Sequence, residues 1–133
     1  MIRFMLDTNA FSHWLRKHAN LSKRAYATLP GEICLSALVE GELRFGLSNR
    51  PQSSDLANAV ARLIDHLEIV AWTSATAQVY ATLRADVNRQ GKRLAPLDML
   101  IAAHAKEIGV PLITSDRAFY EIDGLALEDW TLP

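Results

Sequence analysis

The chain has 133 residues, half of them hydrophobic, with 14 basic and 15 acidic residues for a net charge of −1 and a single cysteine, Cys34. That is the length of one ordinary domain, residues 1–133, able to bury roughly two-thirds of its unfolded surface, which excludes a disordered chain and an internally disulfide-stapled one. No apolar run approaches the ~20 residues of a membrane span, and the N-terminus lacks a basic stretch followed by a signal-type apolar segment, so the expected location is the cytoplasm.

In chain order, Ile2–Leu6 is short, apolar and β-compatible, and reads as a strand buried on both faces. From Asn9 the apolar residues Phe11, Trp14 and Leu15 fall at helical spacing. A second short helix covers Leu21–Leu29, and Pro30-Gly31 ends it. Ile33–Leu35 reads as a strand, and Ser36 as the N-cap of a helix running to about Ser48. After the break at Asn49-Arg50-Pro51, Ser53–Leu67 is amphipathic, with Leu56, Val60, Leu63, Ile64 and Leu67 on one side. Ile69–Ala71 is a strand candidate. Ser74–Arg89 is a long helix stopped by Gly91, and Pro96 opens a helix over Leu97–Ile108 that Gly109 ends. Leu112–Thr114 is an apolar strand, Asp116–Phe119 one further helical turn, and Leu125–Leu127 a last edge strand.

Short apolar strands alternating with helices predict an α/β fold, a parallel sheet covered on both faces. Ligands of such sheets bind beyond the carboxyl ends of the strands. Asp7 follows the first strand directly, and Asp116 follows Leu112–Thr114. Each is equally well placed to cap the helix after it. Glu42 falls within an apolar arc of Leu38, Val39, Leu43 and Phe45 at about 100° per residue, on a face expected to be buried, whereas Glu40 lies round the helix near Arg44. A carboxylate there calls for a partner or a metal. Asp98 sits at the edge of the arc Leu97, Ile101, Ala105 and Ile108, in a first turn where the helix dipole also favours negative charge.

If these four carboxylates share one place, a cation must offset their repulsion, because like charges at close range raise carboxyl pKa values. Oxygen ligands select hard ions such as Mg²⁺ or Mn²⁺. Zinc is disfavoured: Cys34 is alone, His13 and His18 are off the helical ligand spacing, and His66 and His104 read as isolated histidines of the core edge or surface. With no glycine-rich phosphate loop and no G-x-S-x-G elbow, the remaining chemistry is metal-assisted attack on a phosphoester.

The segments "MLDTNAFSHWL", "ICLSALVEGELRFGL", "APLDMLIAAHAKEIG" and "LITSDRAFYEIDGLALEDW" together resemble PIN-domain proteins, and among them the VapC toxins of type II toxin–antitoxin pairs, from Met5 to Trp130. The resemblance implies a three-layer α/β/α fold around a mainly parallel sheet and a metal-dependent endoribonuclease using Mg²⁺ or Mn²⁺. Its acidic site maps onto Asp7, Glu42, Asp98 and Asp116. The asparagine after the first acid maps onto Asn9, and the polar position before the last acid onto Thr114 and Ser115, with Asn9 and Ser115 as supporting groups. The resemblance also implies a homodimer and a VapB-type antitoxin that wraps the toxin. The stretch "LRADVNRQGKRLAPLD" resembles the subgroup that cuts initiator tRNA in its anticodon loop. Lys17, Arg84, Arg89, Lys92 and Arg93 are candidates for RNA phosphate contact, though solvated helix faces account for them equally well.

Two rival readings belong to other classes. A phosphoacceptor receiver domain needs adjacent acids after the first strand and a late strand-end lysine. Here Thr8-Asn9 follow Asp7, and Ser115-Asp116 follow the late strand. A non-catalytic PIN-like interaction protein is disfavoured by the complete acid set.

Overall fold

A computed structural model describes residues Met1–Pro133. The sheet has five strands, β1 (Phe4–Leu6), β2 (Ile33–Ser36), β3 (Glu68–Val70), β4 (Leu112–Ile113) and β5 (Leu127–Glu128), in the order β3-β2-β1-β4-β5. Every pairing is parallel, with registers such as Leu6↔Leu35, Leu6↔Ile113 and Ile113↔Glu128. Six helices connect them: α1 (Thr8–Leu15), α2 (Ala19–Ala27), α3 (Ala37–Ser48), α4 (Ser54–Ile64), α5 (Ser74–Arg89) and α6 (Pro96–Ile108). All of Ile33 to Ser36 is buried, as are Met5, Leu6, Leu112 and Ile113, so both faces of the central strands are covered. Helices α1 to α4 contact one another and α5 packs against α6, which completes the α/β/α layering that the alternation predicts.

Local chemistry explains the element ends. Ser36 Oγ accepts the Leu38 N–H at 3.1 Å and opens α3. Pro96 stands at the first position of α6, and Gly109, with φ 75°, closes it in the left-handed region that favours glycine. Lys17 takes the same conformation after α1, with φ 61°, and is the one non-glycine residue to do so.

Several expected boundaries shift. The first strand begins at Phe4, two residues later than expected, while Arg3 N–H bonds to the Glu32 carbonyl just outside the ladder. Helix α4 ends at Ile64, and His66 and Leu67 form a tighter turn through bonds to Leu63 and Ile64. The turn after Asp116 is a 3₁₀ helix, Arg117–Glu121, and a second one, Pro30–Glu32, precedes β2. The last strand is Leu127–Glu128 rather than Leu125–Leu127, because β4 pairs with it in parallel through the Leu112↔Leu127 register.

Strands β1, β2 and β3 step outward in one direction and β4 and β5 in the other. The order therefore reverses between β1 and β4. In open parallel sheets that reversal opens a crevice at the strands' carboxyl ends, and Asp7 and Asp116 follow the two strands that flank it.

Candidate active site

Asp7 ends β1 and caps α1. It is 3% exposed. Its Oδ1 accepts the Ala10 N–H at 2.7 Å, and its Oδ2 accepts the Thr114 hydroxyl at 2.5 Å. Thr114 Oγ1 in turn accepts the Asp116 N–H at 2.9 Å, and Asp116 Oδ1 accepts the Ala118 N–H at 2.9 Å. A relay, buried at Asp7 and Thr114 and half-buried at Asp116, thus fixes both strand-end acids, and both capping roles coexist with a shared site.

Asp7, Asp98 and Asp116 line one cleft together with Glu42, Thr8, Asn9, Leu97, Ile101 and Phe119. The four distant acids of the sequence converge, and no lysine or arginine is among the lining residues. Burial pushes the Asp7 carboxyl up to about 6, against the hydrogen bonds from Thr114 and Ala10, and the charges of Asp116 and Asp98 add to the rise. Asp98 is also raised, by burial and then by Asp116. Both shifts come first from burial, and the neighbouring carboxylates add to them with no counter-charge alongside.

Glu42 reaches the cleft by a different route from the one its helical arc predicts. The side of α3 that faces the core carries Val39, with Leu43 and Leu47 partly buried, whereas Glu42 is exposed and Phe45 is 62% exposed. The expected apolar arc is therefore not a buried face: α3 is only half covered, and Glu42 stands at the rim of the cleft. Glu40 is set apart as expected, accepting from Arg44 Nε and Nη2 at 3.1 and 2.9 Å.

The supporting residues divide. Asn9 lines the cleft, while Ser115 Oγ sits 3.5 Å from His13 Nε2 and is not among the lining residues; the hydroxyl that holds Asp7 belongs to Thr114. Of the basic candidates, Arg84 donates to Tyr80 Oη at 2.8 Å, Arg89 pairs with Asp86, and Lys92 donates to the Glu121 carbonyl at 2.7 Å. Arg93 and Lys17 are exposed, and none of the five lines the cleft. His104, read from sequence as a core-edge or surface residue, is fully buried and bonded to Ser36 Oγ at 2.7 Å. Its position at the heart of α6, between Ala103 and Ala105, was the available signal.

The cleft fits a divalent hard cation. Its charged donors are all oxygens, Thr8 Oγ1 is buried there without a hydrogen-bond partner, and excess negative charge is left uncompensated. No three acidic, histidine or cysteine side chains stand close enough to enclose a metal by themselves. Mg²⁺ keeps several waters and takes few direct protein ligands, so acids spaced in this way can reach it partly through water.

The PIN domain family model matches residues 4–125. The chain is 26% identical to the tRNA(fMet)-specific endonuclease VapC of Shigella flexneri, over 98% of this chain and all of that one. It superimposes on the crystal structure of DNA-bound VapBC from Salmonella typhimurium with a TM-score of 0.91 at 28% identity, covering 98% of this chain and 99% of that one. For VapBC2 of Rickettsia felis bound to a promoter DNA fragment, the TM-score is 0.89 at 27% identity, with the same coverage. The chain belongs to the PIN-domain family and is VapC-like over 98% of its length.

Proposed function

We propose that the protein is a metal-dependent endoribonuclease, built as one PIN domain over residues 1–133, and the cytoplasmic toxin of a type II toxin–antitoxin pair. The observation that carries the activity is the convergence of Asp7, Glu42, Asp98 and Asp116 on one cleft at the point where strand order reverses.

Asp7, Glu42 and Asp98 would hold one Mg²⁺ or Mn²⁺, directly or through water, with Asp116 completing or tuning that set. When bound, such an ion supplies Lewis acidity: it makes water acidic enough to attack near neutral pH and offsets charge on the phosphate. The chain's own contribution is orientation. The Ala10 N–H and the Thr114 hydroxyl each take one oxygen of Asp7 and fix its plane, and the Ala118 N–H does the same for one oxygen of Asp116. Asn9, exposed at the cleft, is placed to hold water or a phosphate oxygen. In-line attack gives a 5′-phosphate and a 3′-hydroxyl.

Likeness to a tRNA(fMet)-specific endonuclease supports initiator tRNA as substrate, with the anticodon loop as the proposed place of cutting. Likeness to VapBC complexes supports a VapB-type antitoxin, and a homodimer is the assembly proposed for the toxin itself. A groove between α1, α2 and α4, with Trp14, Leu15, Tyr26 and Leu63 as apolar lining and Lys17 and Arg62 among its cations, suits an amphipathic antitoxin segment with acidic flanks.

Glu42→Gln and Glu40→Gln, expressed beside the wild type, test the site. Wild type and Glu40→Gln should arrest growth and cleave RNA with Mg²⁺, and Glu42→Gln should lose on the order of 100-fold in cleavage. Equal cleavage by wild type and Glu42→Gln would remove the acid cleft from the mechanism.

A further inference from the structure

The two helices that bring Glu42 and Asp98 to the cleft, α3 and α6, touch only narrowly; α6 lies chiefly against α5. One polar link crosses that narrow joint in the core. His104 of α6 and Ser36, the N-cap of α3, are both 0% exposed, and His104 Nδ1 lies 2.7 Å from Ser36 Oγ. Ser36 is six residues before Glu42, and His104 is six residues after Asp98. At about 1.5 Å of rise per residue, each acid is about 9 Å along its helix from its end of the link.

The hydrogens of this link can be assigned. Ser36 Oγ accepts the Leu38 N–H, so its own hydrogen finds an acceptor only at His104 Nδ1. The proton of the neutral ring is then on Nε2, which is buried without a hydrogen-bond partner. Burial lowers the His104 pKa, with Glu107 and Ala71 opposing, which agrees with a neutral ring.

We propose that His104, acting through Ser36, is a positioning residue that fixes Glu42 against Asp98, so that a buried neutral imidazole sets the spacing of two of the four site acids. The inference rests on the nuclease reading only for its effect on cleavage; its effect on cation binding stands apart from it. Misplacement by 1 Å can cost about 100-fold in rate, and groups that orient metal ligands typically alter affinity by about 10- to 100-fold.

The test compares full-length wild type with His104→Leu, which keeps the bulk of the ring and removes the acceptor, and His104→Asn, whose side-chain oxygen can replace Nδ1. His104→Leu should remain folded by circular dichroism, bind Mn²⁺ about tenfold more weakly by calorimetry, and lose at least tenfold in kcat on RNA with little change in KM. His104→Asn should return both to within about threefold, and Ser36→Ala with His104→Leu should be no worse than the worse single variant. The wild-type ring should show the Nε2–H tautomer by ¹⁵N NMR. A folded His104→Leu with wild-type Mn²⁺ affinity, a His104→Asn as impaired as His104→Leu, or an Nδ1-protonated ring overturns the proposal. A wild type that cuts no RNA overturns the nuclease reading alone, since the Mn²⁺ and ¹⁵N measurements still decide the role of His104.

Discussion

Asp7→Asn should make the metal-free protein more stable while abolishing its cleavage. The wild-type carboxyl titrates at about 6 in the folded chain against an ordinary 3.8. At about 1.36 kcal/mol per pH unit, holding it ionised costs the native state about 3 kcal/mol near pH 7.5. The sign follows from proton counts. Between 3.8 and 6 the native state binds more protons than the unfolded state, so wild-type stability rises as pH falls through that window, and about 2 of the 3 kcal/mol return by pH 4.5. In the amide variant the oxygen still accepts the Ala10 N–H, since asparagine caps helices as well as aspartate does. Relative to the protonated acid, the neutral bond from the Thr114 hydroxyl is lost, at about 1–2 kcal/mol. The net expectation is a gain of about 1–2 kcal/mol at pH 7.5, from these two figures, that is gone by pH 4.5. Urea unfolding of both proteins in EDTA at the two pH values measures it, and added Mg²⁺ should stabilise the wild type more than the variant. A variant no more stable at pH 7.5, or a margin identical at both pH values, would refute the reasoning that crowded, buried carboxylates await a cation.

Two further predictions probe the supporting chain. Thr114→Val removes the hydroxyl that donates to Asp7 and accepts from the Asp116 N–H. A hydrogen bond to a charged group contributes about 1.5–3 kcal/mol, so the Asp7 titration in the metal-free variant should rise by about one to two pH units, read by ¹³C NMR of its carboxyl carbon; an unchanged midpoint would contradict the relay. Lys17→Gly and Gly109→Ala should shift stability in opposite directions by about 1 kcal/mol each, because both positions are left-handed, with φ 61° and 75°. A Cβ at Gly109 meets nothing within 4 Å, so the loss there is purely conformational; melting temperatures moving in the same direction for both variants would disprove this.

How far the sequence could be read depended on the range of the forces involved. Ser36, Gly91, Pro96 and Gly109 act on the backbone within a few residues, and the start of α3, the end of α5 and both ends of α6 fall where those residues place them. The ends of β1, β4 and β5 are set by which carbonyl a neighbouring strand offers, a partner remote in the chain, and there the expected boundaries moved. Glu42 shows the limit most clearly. Its position at the cleft agrees with the expectation, but the reason given for it fails: periodicity measures which residues share a face, not whether anything covers that face. Phe45 belongs to the same arc and is open to solvent.

Patterning and capping are local, so the alternation of short apolar strands with helices and the carboxylates at two strand ends are legible in the residues alone. Long-range packing sets the reversal of strand order between β1 and β4 and the choice of Thr114 rather than Ser115 to hold Asp7. It also buries His104 against Ser36. Those outcomes depend on contacts between residues 68 and 107 positions apart, which no local pattern encodes.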